Sequence, residues 1–186
     1  MKMLFTLLYS LGLATTASIS TVKDYSLINQ EGKPFQLYDL KGKYLMITFI
    51  YSHCPVPSMC PLTITLSNRL IRKWKANKTL KEKYSLQVLA VTLDPEKDTP
   101  KVLKKFGESH AINFSHFTLA TGDPKTLSDF AAEFNVVGFP SQGTISHNIK
   151  NILLDPKMKV IKEYKENGWQ PEEVLKEIHK MEGKEG

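Results

Sequence analysis

The sequence predicts an α/β fold with a mixed central sheet flanked by helices. Two apolar runs, residues 44–51 and 86–93, have the length and the continuous hydrophobicity of strands that are covered on both faces. Residues with helical periodicity follow the first run, and strands that alternate with helices are typical of α/β domains. The chain has 186 residues, of which 41% are hydrophobic, and this is enough for one domain with a substantial core.

Shorter strands are predicted on both sides of this centre. Residues 25–37 contain two short strand-like stretches around a Glu-Gly turn, a pattern that predicts an N-terminal β-hairpin. Residues 117–120 predict a further short strand. Residues 149–154 and 159–164 flank an Asp-Pro-Lys turn, so they predict a closing hairpin.

Capping residues and prolines mark the predicted helices. Thr99 and Asp123 each stand before a proline, as an N-cap residue stands before the first helical position. The predicted helices span residues 62–83, 100–109, 124–134 and 171–181. The resulting order of elements matches a thioredoxin-like fold with an N-terminal β-hairpin extension. In that arrangement the loop after residues 44–51 lies at the sheet edge where sites of open α/β folds gather.

The N-terminal residues predict export. Lys2 is followed by an apolar run at residues 4–14 and then by small, weakly polar residues, as in a secretory signal peptide. We therefore predict a signal peptide at residues 1–19 and one domain at residues 20–186, located in the periplasm or another extracytoplasmic compartment. The apolar run is shorter than the roughly 20 residues that span a bilayer, so an uncleaved anchor is the less favoured alternative. Contact with a membrane is expected only if this leader is retained.

The charge distribution argues against a nucleic-acid partner. The net charge is +6, and the lysines are scattered along the chain. A nucleic-acid surface combines clustered basic residues with aromatic ones, and the sequence shows no such interleaving. A solvated basic surface is the favoured interpretation, and docking to an acidic partner or an anionic lipid is the alternative.

Reactive chemistry is concentrated in residues 51–61, directly after the first buried run. Cys54 and Cys60 in this segment are the only cysteines of the chain. Six positions along a helix turn about 240°, so the two sulfurs cannot share one helical face. We expect Cys54 on the loop and Cys60 at or just before the first helical turn. The positive end of that helix favours a thiolate, which metal binding and thiol exchange both require.

His147 is the histidine most favourably placed to join the two sulfurs. It lies in a glycine- and serine-rich loop at residues 141–148, just before a predicted strand. If that strand lies beside residues 44–51, the loop reaches the same sheet edge as the cysteines. His53 is the other candidate, but adjacent residues of an extended segment point to opposite sides, so it is not expected to act together with Cys54. Spacing alone would favour a structural role for His147.

Several segments, taken together and in order, resemble the Sco/SenC family of copper chaperones. The resemblance runs from about residue 25 to the last helix. It includes Phe-Ile-Tyr-Ser-His-Cys-Pro at the first cysteine and Met-Cys-Pro-Leu at the second. It continues with residues 92–103, with Leu-Ala-Thr-Gly-Asp-Pro at residues 119–124, and with a histidine before a strand.

The resemblance implies a copper site and a partner. In that family two cysteines and a distant histidine bind one copper ion, so Cys54, Cys60 and His147 are expected to bind one ion, as Cu(I) or Cu(II). The recipient implied by the family is a cytochrome c oxidase subunit or another copper acceptor protein. A thioredoxin-like reductant is a further expected partner.

Two features depart from the family pattern. The usual spacing places three residues between the cysteines, with an acidic residue after the first Cys-Pro, whereas five residues, none of them acidic, separate Cys54 from Cys60. In addition, residues 134–140 resemble the segment that carries a cis-proline in thioredoxin-like oxidoreductases, and Pro140 is the candidate for that role. The distance in sequence from Pro140 to the next strand favours instead a loop that presents His147.

Other uses of the cysteine pair stay open from the residues alone. In a thiol-disulfide oxidoreductase Cys54 would attack and Cys60 would resolve the mixed disulfide, with His147 incidental or a proton shuttle. Such enzymes usually keep two residues between their cysteines, which this chain does not. A peroxidase is disfavoured because Tyr51 stands where a threonine is expected. A zinc site with three ligands and a structural disulfide in a binding domain are the remaining alternatives.

Overall fold

The structure, a computed structural model, describes residues 21–141 and 144–183. The signal peptide predicted at residues 1–19 therefore lies outside the described residues. Within the described ranges, no helix has both the length and the apolar character needed to pass through a bilayer.

Strands of the described residues form a main sheet of seven strands and a second sheet of two. The main sheet has the order β2-β1-β5-β4-β3-β8-β9, and β6 and β7 form the second sheet. The strands are β1 Ser26–Asn29, β2 Pro34–Gln36, β3 Tyr44–Ile50, β4 Leu86–Thr92, β5 Phe117–Thr121, β6 Gly138–Ser141, β7 Thr144–His147, β8 Lys150–Leu154 and β9 Val160–Lys165. β3, β4 and β5 run parallel to one another, and the other pairs are antiparallel. The prediction of a mixed central sheet with an N-terminal hairpin is confirmed.

The helices agree with the prediction except at one break. They are α1 Cys60–Ala76, α2 Lys78–Lys83, α3 Pro100–Ser109, α4 Pro124–Glu133 and α5 Pro171–Glu182, with a short 3-10 helix at Leu37–Leu40. The single helix predicted over residues 62–83 is wrong, because Asn77 divides it. Asn77 has an extended backbone, and its side chain accepts a hydrogen bond from the N–H of Leu80 at 3.1 Å. An asparagine that caps the following turn ends the helix before it, although Leu80 still returns to the same core.

Side chains of β3 alternate between two hydrophobic clusters, one on each face of the sheet. Met46 and Ile50 pack in the cluster beneath α1, α3 and α5, whereas Ile47 and Phe49 pack in the cluster beneath α4. Every residue of β3 and β4 is buried. Helices on both faces explain why the sequence of these strands is continuously apolar.

The pairing of β3 with β8 determines which distant segments meet. The two strands are antiparallel, with Thr48 opposite Asn151. The chain that leaves β3 after Ile50 therefore lies beside the chain that enters β8 at Lys150. This confirms the expectation that the strand after His147 lies next to the strand before the cysteines.

The segment before β8 differs from its prediction as a loop. Gly138–Ser141 and Thr144–His147 pair as an antiparallel hairpin, in which Gly138 lies opposite His147. Strands of four residues offer too few positions for alternation to stand out among small residues, so the sequence pattern does not reveal them. Pro140 lies in the first of these strands, and no peptide bond of the described residues is cis, so the cis-proline alternative is not supported.

Gly107 in α3 offers a test of the packing on the α1 face. A Cβ at this position would lie 2.5 Å from Cζ of Phe114, a distance that forces the ring to move. Alanine ordinarily favours a helix over glycine. We nevertheless expect Gly107→Ala to lower the free energy of unfolding by about 1–3 kcal/mol, because the core must rearrange.

Urea unfolding of the wild-type protein and of Gly107→Ala measures the difference in their free energies of unfolding. Gly183→Ala is the control, since a Cβ there meets nothing closer than 3.8 Å. A Gly107→Ala variant as stable as the wild-type protein would show that the close packing does not hold.

Candidate metal centre

The cysteines lie on the loop that leaves β3 and on the first residue of α1. Met59 is the N-cap residue of α1, which begins at Cys60. The loop folds back on itself, because the N–H of Cys54 donates to the carbonyl of Tyr51 at 3.3 Å and the N–H of Met59 donates to that of Val56 at 3.0 Å. The two prolines between the cysteines prevent this loop from continuing as helix. The predicted positions of Cys54 and Cys60 are confirmed.

The two cysteine side chains meet as free thiols. Cys60 is buried, with 1% of its surface exposed, and Cys54 is half-buried. Each thiol shifts the pKa of the other, so the two side chains lie close together. The five intervening residues therefore do not keep the sulfurs apart.

His147 approaches the pair from the second sheet. Nε2 of its ring lies 3.9 Å from Sγ of Cys60, and Nδ1 lies 3.0 Å from the carbonyl oxygen of Asn148. A carbonyl can only accept, so Nδ1 carries the proton and Nε2 presents its lone pair towards Cys60. Burial lowers the pKa of His147, which keeps the ring neutral near neutral pH. A neutral imidazole oriented by a carbonyl at its other nitrogen is the usual form of a histidine ligand.

The three predicted ligands touch one another without yet forming a coordination sphere. Sγ of Cys60 lies 3.9 Å from Nε2 of His147, and Cys54 lies near enough to Cys60 for each thiol to shift the pKa of the other. In the described part of the chain, no group of three or more His, Cys, Asp or Glu side chains is already arranged to hold a metal ion.

The pKa values of the two thiols are shifted in opposite directions. Burial acts to raise the pKa of Cys54, but hydrogen bonds from the backbone of Cys60 and Val56 and from the side chains of Cys60 and Tyr51 outweigh it, so the pKa lies below its usual value. Burial raises the pKa of Cys60, and the negative charge of Cys54 beside it adds to this effect. Cys54 is therefore the more acidic thiol of the pair, and Cys60 keeps its proton to higher pH.

Tyr51 connects the cysteine loop to the hairpin of His147. Its hydroxyl group hydrogen-bonds to the side chain of Cys54 and to the backbone of Ile145 in β7. Its ring meets the imidazole of His147 edge-on, with 5.9 Å between the centroids. Burial, together with the neighbouring Cys54, raises the pKa of Tyr51 to about 12, so the phenol keeps its proton and can donate it to the sulfur.

Asp98 anchors the start of the cysteine loop. Its carboxylate is fully buried and accepts hydrogen bonds from the N–H of Ser52 at 3.0 Å, from the hydroxyl of Ser52, and from the hydroxyl of Thr92 at 2.5 Å. A buried carboxylate needs such donors to replace water. His53 is largely exposed, and its Nδ1 lies 2.8 Å from Oγ of Ser52, so His53 interacts with this anchor.

Asn167 anchors the end of the same loop. Its amide nitrogen donates to the carbonyl of Ser58 at 3.1 Å and to that of Met59 at 3.0 Å, and its amide oxygen accepts from the hydroxyl of Thr63 at 2.9 Å. Asn167 lies between β9 and α5, far from the loop in sequence. One side chain thus holds the last residues before Cys60 against another part of the fold.

Comparison with known proteins identifies the family. The SCO1/SenC family model matches residues 14–182. This chain belongs to the SCO1/SenC family. It is 29% identical over 147 residues to the SCO1 protein homolog of Bacillus subtilis, and the alignment covers 77% of this chain and 72% of that protein.

Solved structures of Sco proteins share the fold of this family member. BsSco, described as having a disulfide switch and as a member of the Sco family of cytochrome c oxidase assembly proteins, matches with a TM-score of 0.72 and 27% identity over 86% of this chain and 91% of its own. Arabidopsis thaliana ScoI with copper bound matches with a TM-score of 0.75 and 23% identity, over 87% and 99% of the two chains. The thioredoxin-like fold predicted from the sequence is confirmed.

Sequence reasoning identified the sulfur and imidazole groups but missed the side chains that hold them. Asp98 belongs to a segment that resembles the family, yet nothing in the sequence shows that its carboxylate is buried. Asn167 stands before Gly168, and because Asn-Gly is typical of an ordinary turn, the sequence gives no sign that Asn167 anchors the loop. Three other histidines lie away from Cys54, Cys60 and His147. His110 contacts the Phe106 carbonyl, His116 packs on Trp74, and His179 lies in α5.

The acidity difference between the thiols predicts a difference in reactivity. In the reduced, metal-free protein we expect iodoacetamide to modify Cys54 much faster than Cys60, because a thiolate reacts and a buried thiol does not. A lowered pKa means that the thiolate of Cys54 persists to lower pH, so its rate should reach a plateau below the pH typical of a free thiol. Mass spectrometry of quenched samples over a pH series measures both rates. Equal rates at the two positions would contradict the assignment.

Removal of the Asn167 side chain should make the disulfide between Cys54 and Cys60 less stable. In Asn167→Ala the carbonyls of Ser58 and Met59 lose the hydrogen bonds from the Asn167 amide, so the loop samples more conformations and the sulfurs meet less often. We expect the equilibrium constant for forming the Cys54–Cys60 disulfide against glutathione to fall by roughly threefold to tenfold.

Titration in glutathione redox buffers measures this constant. Asn113→Ala, which removes a side chain that accepts from Ser115 N–H in an exposed loop, is the control. An unchanged constant in Asn167→Ala would show that the anchor does not position the sulfurs.

Proposed function

We propose that this SCO1/SenC protein is an exported copper metallochaperone. It accepts one copper ion on Cys54, Cys60 and His147 and passes the ion by ligand exchange to an acceptor protein. The acceptor is a copper centre of cytochrome c oxidase or another protein that needs copper.

One observation carries this proposal: Sγ of Cys60 lies 3.9 Å from Nε2 of His147, and Cys54 lies near enough to Cys60 for each thiol to shift the pKa of the other. These residues come from two separate parts of the chain. Two thiolates and an imidazole form a donor set that suits Cu(I) and can also hold Cu(II). The neutral state of His147 supports the same assignment, because a protonated imidazole cannot bind a metal.

The arrangement also indicates what happens when copper arrives. Cys60 keeps its proton in the metal-free protein, so it must release that proton to become a ligand. Cys54 is more acidic and more exposed than Cys60, which makes it the more accessible of the two thiols to a partner protein. Exchange of one ligand at a time then moves copper without leaving it uncoordinated.

Relatives support the choice of copper and of the acceptor. Arabidopsis thaliana ScoI has the same fold and has been solved with copper bound. BsSco belongs to a family described as cytochrome c oxidase assembly proteins. Export to the periplasm or another extracytoplasmic compartment is part of the proposal and depends on the signal peptide predicted at residues 1–19. Attachment to a membrane would follow only if that leader is retained.

A second candidate function is thiol-disulfide exchange by the same pair. Two neighbouring free thiols, one of them more acidic than the other, favour it. The Cys54 thiolate would attack a substrate disulfide and release one substrate thiolate, and Cys60 would then attack the mixed disulfide to release the other. The protein ends with a Cys54–Cys60 disulfide and the substrate gains two electrons, so a thioredoxin-like reductant must return the pair to the thiol form.

Copper binding distinguishes the two functions. We expect reduced protein to take up one equivalent of Cu(I), and Cys54→Ser and Cys60→Ser each to abolish this binding. His147→Ala should weaken retention against a competing chelator by roughly tenfold to a hundredfold while leaving thiol alkylation unchanged. Chelator competition measures affinity, and X-ray absorption at the copper edge reports the sulfur and nitrogen ligands.

His110→Ala, which removes a histidine outside the cluster, should bind as the wild-type protein does. Full binding by either single cysteine variant would rule out the shared site. A protein that ignores copper and reduces insulin disulfides would establish the second function instead.

A further inference from the structure

We propose that Met59 is an additional copper(I) ligand, which receives the ion from a cavity beside His147 before the two thiols bind it. This inference rests on the proposed function, since it concerns how copper reaches the same site. Four features of the structure carry it.

The first feature is a cavity of about 840 Å³ that opens onto His147. Residues 147–150 and 165–168 line it, together with Ser58, Met59, Leu62 and Asn135. Met59 and His147 belong to this lining, whereas neither Cys54 nor Cys60 does. An ion that enters the cavity therefore meets the histidine and the methionine before it meets either sulfur of the cysteine pair.

The second feature is that Met59 does not serve the core. It is half-buried but belongs to neither of the two hydrophobic clusters of the described residues, although its neighbours Cys54 and Leu62 pack against one of them. Methionine normally fills gaps in a core. Met59 instead belongs to the lining of the cavity, and thioethers are ligands that Cu(I) prefers.

The third feature is the fixed backbone of Met59. Its carbonyl accepts hydrogen bonds from Asn167 at 3.0 Å and from the N–H of Thr63 at 2.9 Å, and its own N–H donates to Val56 at 3.0 Å. These bonds hold Met59 directly before Cys60 in the chain. A metal ligand at this position can hand its ion to the next residue with little movement of the backbone.

The fourth feature is chemical. A thioether carries no proton, so it can bind Cu(I) without releasing one, whereas any thiol must lose its proton to become a ligand. In the step that follows, the Cys60 sulfur replaces the thioether and its proton passes to solvent, with no change in the oxidation state of copper. Lys150, Lys165 and Glu166 also line the cavity, so its lining carries no excess of negative charge that would concentrate a free cation. We therefore expect copper to arrive bound to ligands of a donor.

Loading kinetics of a full-length variant test the proposal. Met59→Leu keeps the volume and removes the sulfur. We expect uptake of Cu(I) from its bicinchoninate complex, followed by stopped-flow absorbance, to slow by roughly tenfold, while equilibrium affinity changes much less.

Met181→Leu is the matched control and should load at the wild-type rate. Met181 is also half-buried and in neither cluster, but it lies beside Glu182, which hydrogen-bonds to Tyr44 at the far end of β3. Equal loading rates in Met59→Leu and the wild-type protein would overturn the proposal.

A direct measurement separates this inference from the proposed function. In a protein with Cys54→Ser and Cys60→Ser, the shared copper site is absent but the cavity is kept. With methyl-labelled methionine, Ag(I) as a probe for Cu(I) should shift the methyl resonance of Met59 selectively, and added His147→Ala should reduce that shift. No selective shift at Met59 would refute the additional ligand even if the wild-type protein binds copper. A selective shift in a protein that fails to bind copper would refute the proposed function alone.

Discussion

The antiparallel pairing of β3 with β8 is the constraint on which the site depends. The cysteine loop follows β3 and His147 precedes β8, so residues about ninety positions apart in the chain reach one edge of the sheet only because these strands are neighbours. A parallel arrangement would place the start of β8 at the opposite end of β3. Continuous burial of β3 between two helical layers makes this pairing part of the core and keeps the edge rigid.

At that edge lie two thiols that differ in acidity and in burial. The half-buried thiol of Cys54 is acidic because several donors converge on it, and the buried thiol of Cys60 is not. This asymmetry suits ligand exchange and disulfide exchange equally, since each needs one sulfur that reacts first and one that follows. The neutral imidazole of His147, with its lone pair towards Cys60, is the feature that favours metal transfer over thiol chemistry alone.

Much of the fold was predictable because the evidence for it is local. The buried runs of β3 and β4 and the Thr-Pro and Asp-Pro helix starts are visible in any short window of the sequence. The break at Asn77 was not, since a cap competes with a helix whose hydrophobic period continues past it. The anchors were not predictable either. Asp98 and Asn167 act through hydrogen bonds to carbonyls, hydroxyls and N–H groups that only the folded backbone brings near them.

These anchors explain how a loop with five residues between its cysteines can still join them. Asp98 holds its start at Ser52, and Asn167 holds its end at Ser58 and Met59. Between these anchors the loop is held by short-range hydrogen bonds of its own, such as that from the N–H of Met59 to the carbonyl of Val56, and Val56 is 39% exposed. Cys54 is therefore half-buried and open to a partner, whereas Cys60 is buried beside His147. An accessible first sulfur and a fixed second one are the combination that stepwise transfer of an ion requires.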